Sequence, residues 1–196
     1  MSFQKVLNCI LSVSIFVFVV GCSRSIKEEK QTDVKRDDMT NKFSDSTFIF
    51  HDYRIAIDAP HNWKSDKLSE TMFVFKMNCD TGRVFCPNLV ARFIPLEQQL
   101  TLEDCAELFL TSFQAKFKNF QLVSSLDKQV GEFKIKVVDY KMFENDTNLG
   151  GTTAFVILDD KSHAFALSMM AENDEHGSYI NYRRLFENIL NSLKPA

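Results

Sequence analysis

The sequence predicts an α+β domain, an antiparallel β-sheet with helices packed on it, and three observations carry that expectation. Short apolar runs with strand periodicity recur between Phe48 and Ala171, separated by turns rich in Asp, Asn and Gly. The stretches 101–117 and 178–193 instead repeat their apolar residues at helical spacing. Strands come in runs broken by a helix rather than alternating one for one with helices, which disfavours a parallel sheet.

Phe48-Ile49-Phe50 and Arg54-Ile55-Ala56-Ile57 read as two short strands, and Pro60, which lacks a donor, is expected to end their pairing. Met72 to Met77 and Leu89 to Ile94 carry apolar residues on both faces, as interior strands do. Thr101 and Asp104 make a capping pair before a stripe of Leu102, Cys105, Phe109, Phe113 and Phe117, and Asn119 closes that helix. Core packing accounts for the three phenylalanines better than a ligand box.

Gln121 to Val130 and Phe133 to Phe143 form a hairpin about Gly131-Glu132. Phe133, Ile135 and Val137 alternate with Lys134 and Lys136, and the inward phase then passes to Val138, Tyr140 and Met142. A bulge near Val137 is the expected device, with the lysine row on a solvated face. Thr152 to Leu158 and His163 to Ala171 are the most apolar strands and are expected at the centre. In the last helix, Ser178 to Leu193, Tyr179, Tyr182, Phe186, Ile189, Leu190 and Leu193 face inward and Arg183, Arg184, Glu187 and Asn191 face water.

Ahead of this domain, Lys5 and the apolar run from Val6 to Val20 have the charge and length of a secretory signal. At roughly 15 residues the run is short for a spanning helix, which needs ~20. It ends in Val19-Val20-Gly21-Cys22, which resembles the lipobox of bacterial lipoproteins. The resemblance implies cleavage between Gly21 and Cys22, a diacylglyceryl group on the Cys22 sulfur and an acyl chain on the new amino terminus. Two or more chains hold a protein firmly to a bilayer, since each buried methylene contributes about 0.8 kcal/mol. Ser23, rather than Asp, after the cysteine implies an outer-membrane address facing the periplasm.

Residues 1–21 are thus read as signal peptide, 22–47 as lipidated cysteine and charged linker, and 48–196 as one domain. The linker crowds Lys27, Glu28, Glu29, Lys30, Lys35, Arg36, Asp37 and Asp38 among few apolar residues. It cannot bury enough apolar surface to offset its ordering entropy, and as a coil it would span roughly 25–30 Å. The formal charge of -3 becomes -4 once Lys5 is removed with the signal. So mild an acidic excess gives no footprint for nucleic acid.

Three cysteines remain in the domain. Cys79 and Cys86 bracket a turn-rich segment, and in an oxidising compartment they can pair. That disulfide would contribute roughly 2.5 kcal/mol. Two free thiols on neighbouring strand ends are the alternative. Cys105 reads as a small buried apolar residue.

Several short motifs together resemble the PsbP-like superfamily, which includes extrinsic photosystem subunits, a Ran-binding import factor and DcrB-like bacterial envelope lipoproteins. They are Phe50-x-x-Tyr53-x-Ile55-x-Ile57-x-x-Pro60-x-x-Trp63, Asn88-x-Val90, Phe120-x-Leu122 leading to Gly131 and Tyr140, and Phe186-x-x-Ile189-x-x-Ser192. The resemblance implies an α/β/α sandwich and action through binding other proteins. No metal or partner residue of the photosystem members can be carried onto this sequence.

No zinc spacing, P-loop, Rossmann fingerprint or nucleophile elbow occurs among the motifs. Glu144-x-Asp146-x-Asn148 has a faint likeness to a calcium loop, but Leu149 and Phe155 replace its required glycine and glutamate. A hairpin turn fits better. Glu172, Asp174, Glu175 and His176 are weak candidates for a divalent cation; the competing reading puts Asp174 and Glu175 before a helix N-terminus, where negative charge is favoured. The expected function is therefore a membrane-anchored, non-enzymatic envelope module with a protein partner and no cofactor beyond its acyl chains. The alternatives are a carrier of a small apolar ligand or lipid, or a hydrolase using carboxylates such as Asp80 or Asp174. Radiolabelled palmitate fed to cells should label the wild-type chain and leave Cys22→Ala unlabelled; equal labelling would remove the acyl assignment.

Overall fold

A computed structural model describes residues 43–196, apart from 61–62, 78–84, 97–98, 118, 145 and 175–177, and the backbone alone of 43–46. Among these residues the chain forms β1 (Phe43–Phe50), β2 (Ile55–Pro60), β3 (Trp63–Ser69), β4 (Met72–Met77), β5 (Asn88–Pro95) and α1 (Leu102–Lys116). Then follow β6 (Gln121–Val130), β7 (Phe133–Glu144), β8 (Thr147–Ile157), β9 (His163–Glu172), α2 (Ser178–Asn191) and β10 (Lys194–Pro195). Seven strands make one antiparallel sheet in the order β3-β4-β5-β9-β8-β7-β6, and β1, β2 and β10 make a smaller one. The fold is α+β.

Each face of the large sheet carries its own core. On one side α2 and the small sheet bury Phe75, Leu89, Phe93, Ile135, Val137, Val156, Phe165 and Leu167. On the other, α1 buries Val138, Tyr140, Met142, Leu149, Phe155 and Met170. Side chains alternate across a strand, so a strand covered on both faces shows apolar residues at successive positions, as β8 and β9 do at the centre. The helices close the sandwich for local reasons. Thr101 accepts from the Asp104 N–H at 3.1 Å while Asp104 accepts from the Thr101 N–H at 2.7 Å, completing the capping box. Aromatic rings weld the small sheet to the large one: Phe93 stacks on Tyr53 at 3.5 Å and meets Phe50 at 5.2 Å and Phe165 at 5.1 Å.

Four expectations need correction. Pro60 does not end the pairing but lies in β2 opposite Phe43, and β1 reaches back to Phe43, into the stretch read as linker. Trp63–Ser69 is an edge strand, half-buried at Trp63 and solvent-facing after it, so its polar sequence gave no strand signal. The bulge is in β6 rather than at Val137: Leu122 opposes Tyr140 and Ser124 opposes Asp139, leaving Val123 as the extra residue. β7 runs in unbroken register with β8 from Ile135 to Glu144. Its inward phase changes because Phe133, Ile135 and Val137 meet the α2 side while Val138, Tyr140 and Met142 meet α1. Lys136 therefore faces α1 and is buried, paired with Glu103 and with Asp127 at 3.3 Å. The Glu103 bond holds its ammonium pKa above the ordinary lysine value.

Two adjacent glycines of β8 each make room for an aromatic ring. A Cβ at Gly151 would lie within the ring of Tyr140, and one at Gly150 within that of Tyr179 from α2. Gly151→Ala should cost about 1–3 kcal/mol by overpacking. Urea denaturation should show the loss, and the same substitution in a Tyr140→Ala background should cost markedly less.

Candidate functional site

The residues singled out from sequence are largely committed or undescribed. Gly21, Cys22, Cys79, Glu175 and His176 lie outside the described residues. Cys86 is disulfide-bonded. Glu172 accepts the Phe85 N–H at 2.9 Å, which ties the segment before β5 to the end of β9. Asp174 accepts the Ser178 N–H at 2.9 Å and its hydroxyl at 2.7 Å, placing its carboxylate at the start of α2. Among the described residues no group of three His, Cys, Asp or Glu side chains converges as metal ligands would. Where β7 turns back into β8, Glu144 pairs with Thr147 and Asp146 is left-handed at φ 60°.

Two places among the described residues hold residue types that catalysis uses. Ser162, His163 and Asp160 touch, but the Ser162 hydroxyl donates to Asp160 at 2.6 Å and both oxygens crowd the same imidazole nitrogen. That is a self-bonded turn, in which the Ser162 hydroxyl draws the Asp160 pKa down to about 2. Triad geometry places the serine and the carboxylate on opposite nitrogens. Burial pushes the Cys105 thiol up to about 11, which keeps it protonated at neutral pH.

A partly buried polar network was not legible in the sequence. Asp139 on β7 accepts from Arg183 Nε at 2.6 Å and from the Ser124 hydroxyl of β6 at 2.8 Å. Tyr179 donates to the Gly151 carbonyl at 3.1 Å beside them, and Arg183 reaches Glu187 at 2.9 Å. The Asp139 side chain is 13 % exposed and that of Arg183 20 %, so Arg183 does not face water as its position on the helix suggested. Burial works to raise the Asp139 pKa, but the bonds from Arg183 and Ser124 and the guanidinium charge outweigh it and hold the carboxyl below its ordinary value. The network pins three elements together: the helix α2, the strand β7 and the outer strand β6.

The bulge and this network shape the outer edge of the sheet. Admitting Val123 as an extra residue turns Ser124 toward Asp139, and Val123 is left in solvent. Leu122, Val123 and Leu126 are 47, 54 and 57 % exposed on this one strand. Gln121 to Leu126 carries no charge, and the charges that follow are engaged, Asp127 with Lys136 at 3.3 Å and Lys128 with Glu187 at 3.9 Å. The opposite edge is guarded differently. β3 carries Lys64, Asp66 and Lys67, with Asp66 paired to Lys76 at 3.3 Å and Lys67 to Glu70 at 2.9 Å. Charged side chains protect an edge from pairing, whereas an uncharged apolar edge invites it. β6, an outermost strand with exposed apolar side chains, is therefore the candidate site. Its sequence signal was the break in alternation at Leu122-Val123.

Removing the Asp139 charge should loosen this edge. Asp139→Asn is expected to cost about 3 kcal/mol, the lower end for breaking a buried pair, because part of Arg183 reaches solvent. A carboxyl with a depressed folded pKa contributes stability above its unfolded value, 3.8, and loses that contribution as pH falls through the folded value. Urea midpoints should thus fall further between pH 6 and pH 2.5 for wild type than for Asp139→Asn.

Comparison with known proteins bears on the fold. No protein-family model and no curated sequence matches the chain. The cyanobacterial PsbP of Synechocystis sp. PCC 6803 superposes with a TM-score of 0.58 at 11 % identity, over 77 % of this chain and 92 % of its own. The Ran-binding protein Mog1p of Saccharomyces cerevisiae gives 0.56 at 7 % identity, over 76 and 94 %. LpqN of Mycobacterium tuberculosis, a protein involved in cell envelope biogenesis, gives 0.55 at 12 % identity, over 71 and 82 %. At such identities the likeness concerns architecture alone: the chain has the PsbP/Mog1-like fold.

Proposed function

We propose that this chain is a lipid-anchored, non-catalytic envelope module that binds a partner protein by accepting one of the partner's strands against β6. The observation that carries the proposal is the contrast between the two outer strands of the large sheet, one charged and ion-paired, the other uncharged over Gln121–Leu126 with Leu122, Val123 and Leu126 exposed. Strand addition draws its affinity from main-chain hydrogen bonds and its selectivity from side chains at alternate positions. The bulge limits the register: an incoming strand runs unbroken along Ser124–Val130 and meets Leu126, with Val123 beyond it.

Support for the address comes from the Gly21-Cys22 box and the charged stretch behind it, which would tether the domain to a membrane through acyl chains on Cys22. Ser23 favours the outer membrane and the periplasmic side. The role of LpqN in envelope biogenesis agrees with that address by analogy of fold only. A carrier of an apolar ligand ranks second, because it needs room between sheet and helix, where the described residues pack two continuous apolar clusters. A hydrolase ranks third, because the Ser162–His163 contact among the described residues shares its one imidazole nitrogen with Asp160 and so lacks triad geometry.

A photoreactive amino acid placed at Val123 or at Leu126 in cells should crosslink reproducibly to one and the same envelope protein. The same group at Leu68, 47 % exposed on β3, should not capture it. The crosslink at Val123 should disappear in Leu126→Lys, which charges the edge. Equal capture from both edges, or capture unaffected by the lysine, would contradict strand addition.

A further inference from the structure

We propose that the strand accepted at β6 is β6 of a second copy of this chain, so that two large sheets join into one across a twofold axis at Leu126. The inference rests on the strand-addition reading above and supplies its partner. It starts from the hydrogen-bonding pattern of the free edge. Gly131, at φ 55°, and Glu132 close the β6–β7 hairpin as a two-residue turn, so the last pair, Val130 and Phe133, exchanges both main-chain bonds. Bonded and non-bonded pairs alternate from there. Ser124, Leu126 and Lys128 therefore bond inward to β7, while the N–H and C=O groups of Ser125, Asp127 and Gln129 point out of the sheet. Among the described residues β6 has no strand on that side.

The side chains then select the register. Lys128 meets Glu187 of α2 at 3.9 Å, whereas Asp127 meets Lys136, which also holds Glu103 of α1. Even positions from 124 to 128 thus lie on the α2 face and odd ones on the α1 face. A twofold axis normal to the sheet sets like faces side by side and outward groups against outward groups, so it passes through a residue rather than between two. At Asp127 or Lys128 it would oppose like charges, which is destabilising. At Ser124 or Ser125 the bulge at Val123 would cut the pairing short. At Leu126 every condition is met. The two leucines form a non-hydrogen-bonded pair, where side chains approach most closely. Ser125 and Asp127 exchange main-chain bonds with the partner's Asp127 and Ser125. The Asp127 carboxylate can accept from the hydroxyl of the partner's Ser125, and the Lys128 ammonium can donate to that of the partner's Ser124. Leucine against leucine and charge against hydroxyl make the edge complementary to itself, as an isologous interface requires. A contact this short is weak, forming where copies are crowded and separating on dilution.

Full-length Leu126→Cys, concentrated in detergent and oxidised with copper phenanthroline, should form a disulfide-linked product of twice the chain mass, since paired Cα atoms about 4.5 Å apart fit a disulfide. Lys128→Cys places its sulfurs on Cα atoms about 13 Å apart across the axis and should cross-link about tenfold more slowly. Both positions are exposed, so the variants should melt with wild type, and the wild-type chain supplies the background from its own cysteines. In wild type the Ser125 and Asp127 amides should exchange more slowly with solvent as concentration rises; in Leu126→Lys they should not. No product at 126, equal cross-linking at the two positions, or exchange in wild type independent of concentration would overturn the second copy as the occupant. A different envelope protein captured at Val123 would then leave strand addition standing, whereas capture of nothing there would remove the docking edge itself.

Discussion

Burying both faces of the seven-stranded sheet under two different covers governs the layout of this molecule. One cover is α1; the other is α2 together with the small three-stranded sheet. Because the covers are unequal in extent, a single strand passes from one to the other. β7 meets the α2 side through Ile135 and Val137 and the α1 side through Val138 and Tyr140 without changing register. Glycine at 150 admits the Tyr179 ring of α2 against the sheet, and glycine at 151 leaves room for the Tyr140 ring of the neighbouring strand β7. Among the described residues the covers leave most of the outer strand β6 to solvent.

Polar groups inside this sandwich are arranged to hold its edge. A buried ion pair contributes little net stability compared with apolar packing, yet breaking one is costly. Asp139 and Arg183 therefore act less as a source of stability than as a register device, fixing where α2 lies on β7. Ser124 extends that device to β6, and the bulge that admits Val123 is what turns Ser124 inward. The exposure of Val123 and the burial of Asp139 are thus two consequences of one local geometry.

Much of the architecture was legible in the sequence, and the exceptions have physical reasons. The capping pair Thr101 and Asp104, the stripe through Phe113, and the hairpin about Gly131 are set by local chemistry, and each stands where the residues place it. β3 was invisible because a solvent-facing edge keeps charged residues rather than an apolar alternation. β10 spans Lys194–Pro195 and pairs only with β2, too short for any periodicity. Arg183 looked solvated because its partner on β7 is 44 positions away in the chain, a distance at which sequence carries no pairing signal. At the candidate site, the apolar residues Leu122 and Val123 were visible, but their exposure follows from β6 being outermost, which only the strand order reveals.

If β6 is an edge kept open for a partner's strand, its amides should be shielded wherever that partner is present. Amide hydrogen exchange can be read by mass spectrometry on the purified full chain and on the same chain in native envelope fractions. Strand addition predicts that peptides spanning Gln121–Val130 exchange more slowly in the envelope, while those spanning Trp63–Ser69 exchange alike in both. Equal exchange of β6 in the two preparations would contradict it.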